Sequence, residues 1–424
     1  MFKAFVLFVL QIQAKRYLAR HQMRLVVVTG SVGKTSTKLA IAAVLGEKYR
    51  VRSQMGNYNV DVTVPLVIFD LPLPEHLKNP FSWLGLLLKT ESLIHQKNQP
   101  VDVIVLELGT DKPGDVSAFG KYLSPDIAVV TAVAAEHMEF FKTMDAVAQE
   151  ELSVAAYSKL TIINRDDIDE NYAKYAYTEN IDTYGSGTAE YRFLIEESAP
   201  DKPFLGTFIA PEYGELKVVL NLVGEHNAKA AVAAGAVAAK FGLSSEEVVS
   251  GMAKIVPAPG RMQMLPGLEH STIIDDTYNS SPISAIAALQ TLYLFQSPQH
   301  IAILGSMNEL GEMSAQLHEQ VGHACDGSLL DWVVTIGDEA EKYLAPAARA
   351  KGCPVKSFHS PYEAGAFVRA TMHPRAVILV KGSQNGVFAE EAVKLLLHNV
   401  KDELRLVRQS PEWLQKKTAQ FSAF

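Results

Sequence analysis

Cysteine, tryptophan and any excess of positive charge are scarce in this 424-residue chain. Its two cysteines, Cys325 and Cys353, have no metal-ligand spacing, which excludes a disulfide scaffold or thiolate metal centre and leaves a reduced thiol pair of cytoplasmic type. Lysine and arginine number 39 against 47 aspartates and glutamates, a net charge of −8, so no nucleic-acid partner is expected through a basic face. Internal repeats and low-complexity segments are missing too, which excludes solenoids and tethers. What remains is 48% hydrophobic and 20% charged, the composition of a globular protein with two or three ordinary cores.

The amino-terminal stretch MFKAFVLFVLQIQAKRYLARHQMR has an apolar run, Phe5 to Leu10, followed by Lys15, Arg16, Arg20 and Arg24. The run falls short of the roughly 20 apolar residues that cross a bilayer. Most of its charge follows rather than precedes it, and no small-x-small cleavage site appears, unlike a secretory signal. Residues 1–23 are therefore read as a leader helix, with two readings open: packing on the body of the protein, or peripheral contact with a membrane surface.

From Leu25 to about Ile255 β-rich runs alternate with helix-like stretches. Strand candidates are Leu25 to Val28, Val103 to Glu107, Ile127 to Val133 and Leu160 to Asn164. Such alternation predicts an α/β fold, a mostly parallel sheet with helices on both faces. Between Tyr191 and Leu222 shorter runs with proline and glycine predict an antiparallel addition, and residues 226–243 an alanine-rich helix closed by Gly242. After the Pro- and Gly-rich stretch 257–267 a second β/α series begins: Ser271 to Asp275, Ile301 to Leu304, Trp332 to Ile336 and Ala376 to Val380. The expected division is 24–256 for a central domain with a phosphate loop and 257–424 for a Rossmann-like α/β carboxy-terminal domain.

TGSVGKTST, residues 29–37, ends the first strand candidate with Gly30, Ser31, Gly33, Lys34, Thr35 and Ser36 where a helix should begin. A glycine turn there aims backbone N–H groups at an anion, with Lys34 reaching outer phosphates and the Thr35 hydroxyl suited to Mg²⁺. The loop is short: Val28 stands where the usual pattern has its first glycine. Glu107 and His137 follow later strand candidates at the edge where open α/β sheets bind ligands, and a carboxylate there calls for a metal or a basic partner. In the second series, DDTYNSSP (275–282) sets Asp275, Asp276 and Asn279 on one turn, and LVKGSQNG (379–386) ends a strand with Lys381. Taken singly, each also fits a helix cap or a solvated acid.

In order, TGSVGKTS, GNYNVDVTVP (56–65), LELGTDKPGDV (106–116), AAEHMEFF (134–141), GEHNAKAA (224–231), GRMQ (260–263), DDTYNSSP, LGSMNELGEMSAQLH (304–318) and LVKGS resemble the Mur ligase family. These are ATP-dependent amide-forming enzymes of peptidoglycan precursor synthesis, with folylpolyglutamate synthetases as relatives. The resemblance spans roughly residues 25–395 and leans to the branch that adds D-alanyl-D-alanine to a UDP-muramoyl-tripeptide. It implies ATP and Mg²⁺, small-molecule acid and amine substrates, a monomer, and an acyl-phosphate route. By residue, it implies Thr35 and Glu107 on one magnesium and His137 on a second; Asn227 on adenine; Arg261, Asp275 and Asn279 on the nucleotide; and Asn57, Asn59, Lys381 and Ser383 near the substrate. Many members carry a carbamylated lysine where the alignment here places Glu151, with Glu150 the choice if the register slips by one. Gln384 stands where arginine is common, and Ala230 where asparagine is frequent.

Residues 1–23 alone precede the nucleotide-binding stretch, so the family's UDP-gripping amino-terminal domain is expected to be lacking. That keeps open a ligase for another acid and amine, such as a polyglutamate or a cofactor acid. A P-loop GTPase is a further alternative, since NRDD (164–167) superficially resembles a guanine-reading pattern, although Arg165 replaces its lysine. A non-catalytic membrane scaffold is opposed by intact Lys34, Thr35, Glu107 and His137.

Overall fold

The computed structural model describes residues 2–54, 58–74, 76–77, 79–97, 101–197, 199 and 202–421. The first sheet is built from β1 (Arg24–Thr29), β2 (Val51–Ser53), β3 (Val103–Glu107), β4 (Ile127–Val130), β5 (Leu160–Asn164), β6 (Ile181–Gly185), β7 (Tyr191–Glu197), β8 (Phe204–Ala210) and β9 (Gly214–Leu220). Its order is β2-β3-β1-β4-β5-β6-β7-β8-β9. Pairing is parallel through β7, and β7, β8 and β9 close the sheet with antiparallel hairpins. The apolar run Val103–Leu106 of β3 and the wholly apolar β4 are what a strand covered on both faces requires.

Among the helices, α1 (Phe2–His21), α2 (Lys34–Leu45), α3 (Val64–Phe69) and α4 (Pro80–His95) come first in the chain. On one sheet face α2 packs with the alanine-rich helix Glu225–Lys240. Small side chains let that helix approach closely: a Cβ on Gly235 would stand 2.6 Å from the Phe208 ring. The helix ends at Lys240 and the chain turns at Gly242 with φ 72°, as its glycine predicts. On the other face α3 and part of α1 cover the sheet through Ala14, Tyr17, Val64 and Ile68.

A second sheet holds β10 (Gln263–Pro266), β11 (Thr272–Asp276), β12 (His300–Gly305), β13 (Trp332–Ile336), β14 (Val355–Phe358) and β15 (Val377–Lys381), in the order β10-β11-β15-β12-β13-β14. Only β10 runs antiparallel, and helices cover both faces. In both sheets the chain reverses direction of growth beside a central strand, β1 in one and β15 in the other, and the crevice opens at the carboxyl ends of the strands there.

One strand expectation is corrected. β4 stops at Val130 rather than Val133, because Thr131, Ala132 and Ala134 bond instead to the phosphate loop and Val133 N to the Asp167 carbonyl. Ser31 N donates to the Ala132 carbonyl at 2.9 Å, and Ala134 N donates to Ser31 Oγ at 2.9 Å.

Candidate active site

The loop after β1 takes its shape from two glycines. Gly30 has φ 124°, and a Cβ on it would lie 2.2 Å from Thr131 Oγ1 and 2.8 Å from Ala132 N; Gly33, at φ 89°, turns the chain into α2. The short loop is thus clamped against residues 131–134, which do the shaping that an earlier glycine does in longer versions. Lys34 Nζ curls back over it, donating to the Gly30 carbonyl at 2.5 Å and approaching Glu136 Oε2 at 3.4 Å. Burial alone would lower the lysine's pKa, but the carboxylates of Glu136, Glu151 and Glu107 outweigh it and raise it, so the ammonium stays charged.

Register sets the acidic side. Val28 pairs with Glu107, which brings the last residue of β3 beside the loop. Thr35 Oγ1 donates to Glu107 Oε2 at 2.9 Å, Asn59 Nδ2 approaches Oε1 at 3.4 Å, and the Glu107 N–H donates to Gln54 at 2.7 Å. The buried Lys38, one helical turn past Lys34, stands 3.3 Å from Glu107 Oε2. Burial opposes ionisation of Glu107, yet Lys38, Lys34 and Arg261 hold its pKa below the usual range. Lys38 is a residue that motif reading missed; its signal was a lysine at a position where α2 faces the core.

Glu150 and Glu151 have separate tasks. Glu151 accepts from Thr29 Oγ1 and, at 2.7 Å, from Gly30 N, directly beneath the loop. Burial pushes its pKa up, partly countered by Lys34. Glu150 accepts from Gly114 N at 2.7 Å, Val116 N at 2.6 Å and Thr110 Oγ1 at 3.2 Å, binding down the loop after β3.

His137 lies past β4 in a left-handed conformation with φ 51°. Its Nδ1 pairs with Glu309 Oε2 at 2.7 Å, and Glu309 belongs to the second-sheet lobe. Burial would lower the histidine's pKa, but Glu309 and Glu136 raise it. The NRDD stretch is locked in structure: Asn164 Nδ2 donates to the Thr131 carbonyl and to Asp167, both at 2.8 Å, and Lys229 Nζ reaches both Asp167 oxygens at 2.8 Å. Asn164 and Asp167 are thereby engaged within the fold.

From the facing lobe Arg261 Nη2 donates to Thr35 Oγ1 at 3.0 Å while its guanidinium stacks 4.1 Å from the Tyr278 ring centre. Lys381 ends β15 opposite Asp276 of β11, and its Nζ donates to Asp276 Oδ2 at 2.5 Å and the Asn279 carbonyl at 3.0 Å. The two lobes enclose a cleft of about 1300 Å³ whose wall includes Ser31, Gly33, Lys34, Thr35, Ser36, Asn59, Glu107, His137, Asn227, Arg261, Asn279 and Lys381. His226 is there as well, with its pKa pushed down to about 4 by burial, so its ring is neutral.

Three expected contacts fall elsewhere. Asp275 is fully buried behind the wall, accepting from Thr277 N and Oγ1, and burial raises its pKa to about 6; the strand's alternation turns Asp276 to the cleft instead. Ser383 is buried too, its Oγ accepting from Asn308 N at 3.0 Å, so it orders the loop after β12 rather than facing the cleft. Gly30 shapes the loop from beneath, and Asn57 lies outside the described residues.

The donor set suits a hard cation. The Thr35 hydroxyl and Glu107 carboxylate are adjacent oxygen ligands of the kind Mg²⁺ takes when phosphates and water fill its remaining positions. Among the described residues no three histidine, cysteine, aspartate or glutamate side chains converge to hold a metal by themselves.

Comparison with known proteins finds the Mur ligase middle domain over residues 28–238 and the Mur ligase glutamate ligase domain over residues 260–384. A Bacillus subtilis UDP-N-acetylmuramoyl-tripeptide–D-alanyl-D-alanine ligase is 31% identical over 77% of this chain, which spans 66% of that relative's length. The Escherichia coli protein of the same name is 26% identical, with 89% of this chain and 77% of its own length covered. Among solved structures, MurF from Acinetobacter baumannii superposes with a TM-score of 0.76 at 25% identity, covering 92% of this chain and 80% of that one. A Thermotoga maritima MurF ligase structure in complex with ADP shares the fold, with a TM-score of 0.76 at 23% identity over 94% of this chain and 84% of that one.

Proposed function

The chain belongs to the Mur ligase family, and from that premise we propose that it is an ATP-dependent ligase joining a carboxylate to an amine through an acyl phosphate. The pair proposed is a UDP-muramoyl-tripeptide-type acid and D-alanyl-D-alanine, which makes the reaction a cytoplasmic step of cell-wall precursor synthesis. The observation that carries the reading is the bridge from Arg261 to Thr35 at 3.0 Å, which brings the second lobe onto the phosphate loop beside Glu107. Within it, residues 24–256 act as the ATP-binding domain and 257–424 as the carboxy-terminal domain, with 1–23 a leader.

In the first step a substrate carboxylate oxygen attacks the γ-phosphorus of ATP and ADP leaves, giving the acyl phosphate. The amine nitrogen then attacks the acyl carbon, and the tetrahedral intermediate expels phosphate as the nitrogen loses a proton. The carboxylate, the phosphoryl groups and the tetrahedral intermediate are all oxyanions, so catalysis rests on positioning and positive charge. Loop N–H groups and Lys34 take the outer phosphates, and Arg261 brings charge from the facing lobe. Thr35 and Glu107 are assigned to one Mg²⁺, and His137 and Glu151 to a second; the metal supplies further charge neutralisation on the phosphates. Asn227 is assigned to the adenine end. Asn59 and Lys381 line the acceptor side, and Ser383 positions that side through the loop it holds. All of these groups come from one chain, which supports catalysis by a monomer.

The test is phosphate release from ATP with each substrate omitted in turn. Release that needs both UDP-muramoyl-tripeptide and D-alanyl-D-alanine, with a pentapeptide product, is expected. Release stimulated only by another acid and amine overturns the substrate pair, and acceptor-independent hydrolysis with GTP preferred overturns the ligase reading.

A further inference from the structure

The amino-terminal helix satisfies one expectation and exceeds it. Val6, Leu10, Ala14 and Tyr17 are buried against the body, so α1 is a packed element of the fold. Side by side with it runs α4, capped by Asn79, whose side chain accepts from Phe81 N at 3.0 Å. Val6 and Leu10 share a core with Trp83, Gln13 Nε2 donates to the Leu87 carbonyl at 3.0 Å, Thr90 Oγ1 donates to Gln13 at 2.7 Å, and Arg16 forms a two-pronged pair with Glu91 at 2.8 Å. Residue numbers rise together along both helices, so they lie parallel and their first halves share one end.

At that end the outward faces are apolar. Phe5 and Phe8 are each 60% exposed, Phe81 80% and Leu88 65%, with Ile12 and Leu84 between them. In α4 the spacing of 81, 84 and 88 is one helical stripe, and 5, 8 and 12 repeat it in α1. The buried Gln13 and Thr90, with the half-exposed Glu91, fix α1 in rotation, so these rings cannot roll inward. Such a patch on an otherwise ordinary surface marks an interaction site.

Charge selects the partner. α1 carries Lys3, Lys15, Arg16 and Arg20 and no acidic residue, in a chain whose net charge is −8, and Lys89 of α4 is exposed. A second copy would set this basic helix against its own like charge, whereas an anionic surface attracts it and is repelled by the rest of the molecule. Phenylalanine and leucine beside lysine and arginine, on a helix too polar to span, are the composition of an interfacial helix, and no described helix is long and apolar enough to cross a membrane. We propose that the paired outer face of α1 and α4 docks on the surface of an anionic lipid bilayer. α3, packed under α1, continues the chain from Asn59 and Val60 in the cleft wall, so the docked face and the cleft are joined by one short segment.

The proposal is independent of the substrate assignment. Full-length protein is sedimented with vesicles of phosphatidylglycerol and phosphatidylethanolamine, and separately with phosphatidylcholine alone, while binding of a fluorescent ATP analogue is read on the same samples. Co-sedimentation with the anionic vesicles only, weakened by salt, is expected. Phe5→Ser with Phe8→Ser, and Phe81→Ser with Leu84→Ser, should each cut the bound fraction about tenfold or more with nucleotide binding and the melting temperature unchanged. The idea fails if the wild type stays in the supernatant, if neutral vesicles bind it equally, if the variants sediment like the wild type, or if they convert a dimer to a monomer without vesicles. Loss of nucleotide binding with vesicle binding intact would count against the ligase reading alone.

Discussion

Replacing Lys38 by methionine removes a charge while keeping the apolar stem that fills the core under the phosphate loop. The lysine is 1% exposed and Glu107 8%, at 3.3 Å. Deleting one member of such a pair costs about 3–5 kcal/mol because the other charge stays buried. Glu107 keeps Thr35, Asn59, Lys34 and Arg261 nearby, which puts the expected loss at the low end, about 3 kcal/mol. At about 2–4 °C per kcal/mol for a unit of this size, melting should fall by roughly 6–12 °C near pH 8. The sign with pH follows from Glu107: its folded pKa is lowered, so its stabilising contribution is present above the unfolded value of 4.5 and is lost as pH falls through the folded value. The two partners do not gain equally, since burial leaves the Lys38 pKa lowered despite Glu107. Below the carboxylate range the lysine is then a buried charge without a counter-ion, and the gap between wild type and variant should close. Scanning calorimetry at pH 8 and pH 4 checks this. Equal melting at pH 8, or a gap that does not narrow at pH 4, refutes the assignment of Lys38 as the counter-ion.

Glu150→Ala leaves the buried Val116 N–H without its acceptor and releases the loop at Gly114, and should cost about 1–3 kcal/mol of stability with turnover largely kept, whereas Glu151→Ala orphans the buried Gly30 N–H and Thr29 hydroxyl, should cost a similar amount, and should abolish most turnover as well. Denaturant curves beside a phosphate-release assay separate them, and the reverse order would reject the register. For Asp275, whose pKa is raised from 3.8 to about 6, stability is highest below 3.8 and falls as pH rises to about 6, by roughly 3 kcal/mol. Asp275→Asn should therefore gain stability at pH 8 and none at pH 3, read by urea unfolding at both. Gly30→Ala forces a Cβ to within 2.2 Å of Thr131 Oγ1 at φ 124°, and should weaken ATP binding about tenfold or more. Gly33→Ala, whose Cβ would find only Thr131 Cβ at 3.8 Å, should weaken it less in the same titration.

Local pattern carried the elements that are covered on both faces. β3, β5 and β13 have the bounds their apolar runs predict, because an unbroken β-branched run between turn residues has one good solution. It failed where backbone bonds to something distant in sequence: residues 131–133 read as strand but wrap the phosphate loop, a contact no window of neighbours contains. In the cleft the motif residues were readable because glycine, lysine and hydroxyl spacing is dictated by an anion. Their partners were not: Lys38, Glu136 and Glu309 are single charges in ordinary-looking segments, and only the assembled lobes set them beside Glu107, Lys34 and His137. Asp275 and Asp276 show the limit most sharply, since adjacent carboxylates point to opposite faces of β11 and strand phase alone decides which one reaches the cleft.

Those late-found partners share a logic. Lys34 has Glu136, Lys38 has Glu107, Lys381 has Asp276 and Lys229 has Asp167, so each of these ammonium groups in or beneath the cleft wall faces a carboxylate. A nucleotide entering with Mg²⁺ brings both signs at once: its phosphates can take Lys34 from Glu136, and its metal can take Glu107 from Lys38. Charge is exchanged between partners rather than desolvated afresh, which lowers the cost of burying a triphosphate that would otherwise meet carboxylates head-on. A bare triphosphate brings only one sign and leaves Glu107 and Glu136 opposed to it. On the proposed function, nucleotide and metal binding would therefore be coupled, and the Arg261 bridge to Thr35 would make the second lobe part of the same exchange.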